Sequence, residues 1–195
     1  MSSGFEDASA HQLNTLIRDH PLCWIVPQSD PAAAILMPVV IGAENEEGPA
    51  ELLGHLPRRA AAARKLAHDV TASLLFLGPN RLIDPEMAGR NDWGPTWNFV
   101  SARLDVEIAL DASTTAECLE ATVRHVMAGS SWSIEELGAR GPRLLEAVIG
   151  FRARVVASAP RMKLGQDEGP DVFRSIVDAL DTDPLAAWMK GTYPP

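Results

Sequence analysis

From Thr96 to Leu110 the chain reads TWNFVSARLDVEIAL, and in its second half Leu104, Val106, Ile108 and Leu110 alternate with Arg103, Asp105, Glu107 and Ala109. A period of two held over that length marks a strand with one face on an apolar core and the other toward water. Further strand candidates are short and lie close together early in the chain. LCWIV (22–26) is apolar and rich in strand formers, AILMPVVIG (34–42) follows, and the acidic turn AENEEGPA leads into ELLGHL (51–56) as the return arm of a hairpin. Pro38 lacks an amide donor, so within the second of these it predicts an edge or a bulge. VTASLLFLG (70–78) and IGFRARVVAS (149–158) complete a set of about six strands.

The helices are short and sit between and after the strands. Ser9 and Gln12 form a capping box before Leu13, Leu16 and Ile17, and Pro21 ends that helix. The alanine-rich run 58–69 predicts a second helix, because alanine has the highest helix propensity. A second capping box, Thr114 to Glu117, predicts a helix reaching Met127. One or two short helical turns follow around Pro142, an amphipathic helix covers 170–180, and 181–195 reads as a tail. Residues 79–95 carry Pro79, Pro85 and Pro95 without a sustained period and predict a long loop. Strands do not alternate with long helices, which argues against a doubly wound parallel sheet. The expected fold is mainly β, a closed or partly open antiparallel barrel with peripheral helices, in a single domain over 1–180.

With 195 residues the chain is long enough for one domain with a sizeable core. Its formal net charge of −9 opposes non-specific nucleic-acid binding, which depends on Lys and Arg neutralising phosphates. Cys23 and Cys118 stand alone, without zinc or redox spacing, and predict two reduced thiols of a cytoplasmic protein. The first residues show neither the basic nor the apolar region of a secretory signal. No apolar run approaches the roughly 20 residues that cross a bilayer.

Three constellations could carry chemistry. In GHLPRRAAAARK a strand hands over to a helix, and His55, Arg58 and Arg59 gather at the junction with Arg64 further on. Orphan amides at a helix start, together with guanidinium charge, suit a phosphate. At the mouth of the long strand, Thr96 and Asn98 share one face and Trp97 the other. An asparagine amide can read a heterocycle edge, and a tryptophan can stack on a ring or fill an interface. In RMKLGQD, Lys163 and Gln166 leave the last strand. The Rossmann glycine fingerprint, the Walker loop, the zinc HExxH pattern and the nucleophile elbow are all missing, and the five histidines have no metal-ligand spacing.

Seven strings resemble the PaiB-like family of FMN-binding negative transcriptional regulators: LIRDHP (16–21), GHLPR (54–58), FLGPNRLIDPEM (76–87), GPTWNFV (94–100), SWSIEEL (131–137), AVIGFRARV (147–155) and KLGQD (163–167). The resemblance implies a Greek-key split β-barrel like those of flavin reductases and pyridoxamine phosphate oxidases, a homodimer, and FMN as cofactor. On that basis Arg58 and Arg59 would hold the phosphate, and His55 would bond the phosphate or ribityl chain. Thr96, Trp97, Asn98 and Gln166 would meet the ring or ribityl, and Lys163 would add positive charge at the pyrimidine end. Leu36 stands where the family pattern has histidine, and Asp84, Glu86 and Met87 replace polar and aromatic residues, which implies weaker flavin binding. A regulatory flavoprotein, a flavin-dependent oxidoreductase and a barrel that has lost flavin are the competing functions. Direct DNA binding and membrane association are not expected.

Overall fold

The structure is a computed structural model, and residues 4–192 are described. Six strands order as β1-β2-β3-β6-β5-β4 in a closed barrel. They are β1 (Leu22–Pro27), β2 (Ile35–Asn45), β3 (Gly48–Pro57), β4 (Thr71–Ile83), β5 (Thr96–Asp111) and β6 (Val148–Lys163). The first three form a meander. β4 then returns to pair antiparallel with β1, and β6 closes the barrel against β3. The expected antiparallel barrel is therefore the observed one. By packing the chain forms two compact units: Ser9–Phe76 with Ala102–Ala159, and Leu77–Ser101 with the two chain ends, up to Ala8 and from Pro160.

The larger unit carries the barrel core. Period-two patterning sends Cys23, Ile25, Leu52, Leu56, Leu74, Leu104, Val106, Ile108 and Phe151 into full burial. Gly54 faces Phe151 across the β3–β6 ladder, and a Cβ there would lie 2.5 Å from the phenyl ring, so the glycine makes room for that ring. Outside the barrel, α1 (Ala10–Asp19) starts with the expected capping box: Ser9 Oγ accepts from the Gln12 amide, and the Gln12 side chain accepts from the Ser9 amide. α3 (Thr115–Val126) packs Cys118 against Val40 and Leu53. Arg152 bridges Glu51 on β3 and Glu117 on α3, each at 2.6 Å.

Several elements differ from the sequence reading. The helix expected over 58–69 is only α2 (Ala61–Leu66), because Ala60 at its start offers no capping side chain. Thr114 makes no side-chain cap. Asp111 instead caps a short 3₁₀ turn, accepting from the Ser113 amide at 2.7 Å. Pro38 is paired on one side only, because the ladder of β2 with β3 begins at Val39. It pairs with Leu22 where β1 begins, and the irregularity in β2 falls between Ile41 and Glu44. β4 runs on to Ile83 through Pro79, shortening the expected loop, and β6 extends through Pro160 to Lys163.

In the smaller unit α5 (Pro170–Leu180) buries Phe173, Ile176, Val177 and Leu180. The presumed tail holds a helix, α6 (Pro184–Lys190), whose first turn is capped by the Asp183 carboxylate at 2.9 Å from the Leu185 amide. Leu185, Ala186 and Met189 are buried there, so much of 181–192 is packed structure. Among the described residues no helix is long and apolar enough to cross a membrane, and no cluster of potential metal ligands occurs.

Candidate functional site

At the turn from β3 into α2, Arg58, Arg59 and Arg64 stand together in the larger unit. Arg58 Nε donates to the Glu146 carbonyl at 3.0 Å, which leaves its two terminal nitrogens for another acceptor. Arg64 folds back onto the Arg59 carbonyl at 2.5 Å. Among the described residues none of the three pairs with a carboxylate, although ten other ion pairs occur and the chain has a net charge of −9. Three exposed guanidiniums without acidic partners leave a local excess of positive charge on an acidic protein. The helix that follows is six residues long and sums few peptide dipoles.

His55 stands at the end of β3. It lines a cavity of about 310 Å³ whose other walls include Leu119, Val123, Trp132, Leu137, Leu145 and Val148. Its Nδ1 is buried without a hydrogen-bond partner. Burial pushes the imidazole below its ordinary value of 6.5, toward the neutral form. A neutral imidazole among apolar walls suits a hydroxyl partner better than a phosphate dianion. This shift also has a sign for stability. The unfolded chain takes up the proton near pH 6.5 while the folded one resists it, so stability contributed by His55 is present above that pH and lost below it. Denaturant midpoints measured from pH 7.5 to 5 should fall toward acid, and His55→Asn should flatten that slope. An unchanged slope in the variant would place the acid sensitivity elsewhere.

The remaining expected residues lie in the smaller unit. Lys163 Nζ donates to Thr96 Oγ1 at 2.6 Å, joining the end of β6 to the start of β5 and holding a positive charge at the strand mouth. Trp97 points outward, 53% exposed. Asn98 faces the other way, 2% exposed, with its amide 3.8 Å from the Met189 sulfur of α6. Gln166 uses both ends of its amide locally: Oε1 accepts from the Leu164 amide at 2.7 Å and Nε2 donates to the Met162 carbonyl at 2.7 Å. In these positions Asn98 and Gln166 shape the strand ends and offer no amide outward. Asp84 likewise caps its own turn, accepting from the Met87 amide at 2.9 Å.

A row of exposed apolar side chains went unnoticed in the sequence. Trp24 on β1 is paired with Leu36 on β2 and Leu75 on β4, and all three lie on the outer barrel face. Leu22, two residues before Trp24, continues the same face. The string LCWIV has no polar residue to mark its outward face, because the outward residues are also apolar.

A six-stranded antiparallel closed barrel with these outer helices defines a split-barrel protein of the kind that includes flavin carriers. The chain belongs to the family described as "Putative FMN-binding domain", whose model matches residues 1–157, and FMN is the cofactor that this membership assigns. The FAD- and haem-binding protein of Mycobacterium smegmatis shares the fold, with TM-score 0.63, 17% identity and coverage of 85% of this chain and 74% of that one. A flavocytochrome from Azotobacter vinelandii gives TM-score 0.59 and 16% identity over 82% and 69%. A conserved hypothetical protein from Mycobacterium tuberculosis gives 0.55 and 10% over 84% and 90%. No curated protein sequence matches the chain.

Proposed function

We propose that the protein is a homodimeric FMN carrier in which the arginines at the β3–α2 turn receive the phosphate. The observation that carries this reading is the set Arg58, Arg59 and Arg64, three exposed guanidiniums that pair with no carboxylate among the described residues. In the smaller unit Lys163, held by Thr96, carries a positive charge at the strand mouth, and Trp97 has an exposed ring face. Asn98 and Gln166 act as positioning residues for those strand ends. His55 is left out of the set because its surroundings are apolar. When bound, the flavin supplies one- and two-electron redox chemistry; the protein positions it and tunes its potential. Any regulatory role would run through the flavin or a protein partner, since a chain of net charge −9 has little attraction for DNA phosphates.

The dimer is drawn from the Leu36–Trp24–Leu75 row. Exposed apolar side chains in a contiguous row across three strands are costly in water and favourable when a second copy covers them.

The test compares two ligands. Purified protein should release FMN on denaturation. Arg58→Ala combined with Arg59→Ala should weaken FMN binding at least about tenfold and riboflavin binding much less, since a charge-assisted hydrogen bond contributes roughly 1.5–3 kcal/mol. Flavin fluorescence titration measures both. Equal losses for the two ligands would show that the phosphate is held elsewhere.

A further inference from the structure

The cavity beside His55 has no role in the reading above. It is lined by α3, the 3₁₀ segment Ile134–Arg140, α4 (Gly141–Ala147) and the start of β6, and it opens to solvent beside Trp132 and Leu144. Its volume of about 310 Å³ lies within the range of small-molecule pockets. Its walls are apolar apart from Glu120 and His55. A wider cleft of about 530 Å³ shares Glu120, Val123, Trp132 and Ile134 with it and leads outward past Met127 and Ser130. Nδ1 of His55 is buried and unpaired. A buried polar atom with no partner is unusual in a native fold and calls for one.

We propose that this cavity is a second ligand site, which takes an uncharged, largely apolar molecule the size of two fused rings, with one hydroxyl on His55 Nδ1. The size follows from volume: an apolar cavity of roughly 150 Å³ accommodates one benzene ring, and this one is about twice that. An anion would find no cation in the walls, and Glu120, the one charged group among them, is exposed to solvent and needs no counter-ion from the ligand. The hydroxyl follows from the imidazole, whose Nδ1 donates in one tautomer and accepts in the other; a hydroxyl answers either. Trp132 in the wall offers a ring face for the aromatic body. This site stands independently of the phosphate assignment, because none of the arginines at the β3–α2 turn lines it.

The probe is 2-naphthol, titrated calorimetrically into the protein as purified, with 2-naphthalenesulfonate as the charged analogue. One saturable site per chain is expected, with the sulfonate at least about tenfold weaker. His55→Phe, which keeps the ring volume and removes the nitrogen, should weaken 2-naphthol at least about fivefold. Leu119→Trp and, separately, Leu145→Trp fill the cavity from two different elements and should abolish binding. Circular dichroism checks that each variant is folded, and either one alone suffices. FMN added to saturation should leave 2-naphthol binding in place. No binding up to the solubility of the probe, undiminished binding in a folded cavity-filling variant, or mutual exclusion with FMN would each overturn the proposal. The last of these would make the cavity part of the flavin's own site.

Discussion

In the proposed homodimer, Trp24→Glu is expected to give monomers at concentrations where the unaltered protein is expected to sediment as a dimer. Trp24 is 50% exposed between Leu36 at 41% and Leu75 at 40%, so it sits at the centre of the apolar row. A central aromatic anchor commonly contributes about 2–4 kcal/mol to an interface, which corresponds to roughly 30- to 1,000-fold in the dissociation constant. In a two-fold dimer the substitution appears on both copies, so the cost is incurred twice and two carboxylates are brought to one apolar face. Val126→Glu on α3, equally exposed but off the row, should leave the assembly unchanged. Analytical ultracentrifugation reads both. A Trp24→Glu protein that still sediments as a dimer would move the interface to another face, with Trp97 the next to examine.

Gly150→Ala should lower stability by about 2–3 kcal/mol, which for a chain of this size shifts the melting midpoint by roughly 5–10 °C. Gly150 lies opposite His55 on the β3–β6 ladder, and the start of α3 rests directly on it. An added Cβ would meet the Thr115 Cα at 2.7 Å, the Thr115 amide nitrogen at 3.0 Å and the Thr114 carbonyl at 3.1 Å. These are backbone atoms, so no rotamer change relieves the clash. The same contact carries a hydrogen bond, from the Gly150 amide to Thr115 Oγ1 at 3.0 Å. Pushing the helix away would therefore leave a buried donor unpaired as well. Gly94→Ala, with open space around it, is the control and should melt with the parent. A Gly150→Ala protein of unchanged midpoint would mean that α3 does not seat on β6 in this way.

Local pattern made much of this architecture legible. The two-period of 104–110 marks β5 because side-chain direction alternates along any extended chain. Ser9 and Gln12 marked the start of α1 because a capping box satisfies amides within one turn and needs no tertiary partner. The sequence was misleading where distant contacts decide. Pro184–Lys190 looked like a tail because a seven-residue helix has no stability of its own; it forms by burying Leu185, Ala186 and Met189. Thr114 had the residues of a capping box, but its hydroxyl donates back to the Asp111 carbonyl at 3.2 Å and makes no cap bond to α3.

The candidate site divides in the same way. Residue chemistry alone singled out Arg58 and Arg59, since a cation pair at a strand–helix turn is a local feature. It could not show that Arg64 joins them, or that the three have no acidic partner, because ion pairing is settled by residues far apart in the chain. Nor could it distinguish Trp97 from Asn98 as the outward side chain. Alternation places them on opposite faces, but only the packing of α6 over β5 decides which face is inside. His55 shows the limit most clearly. Its neighbours in sequence are the arginines, and its neighbours in space are Leu119, Trp132 and Leu145. An imidazole's charge state and partner depend on the dielectric and donors around it, so the fold, rather than the string GHLPRR, made it neutral and left it facing an apolar cavity.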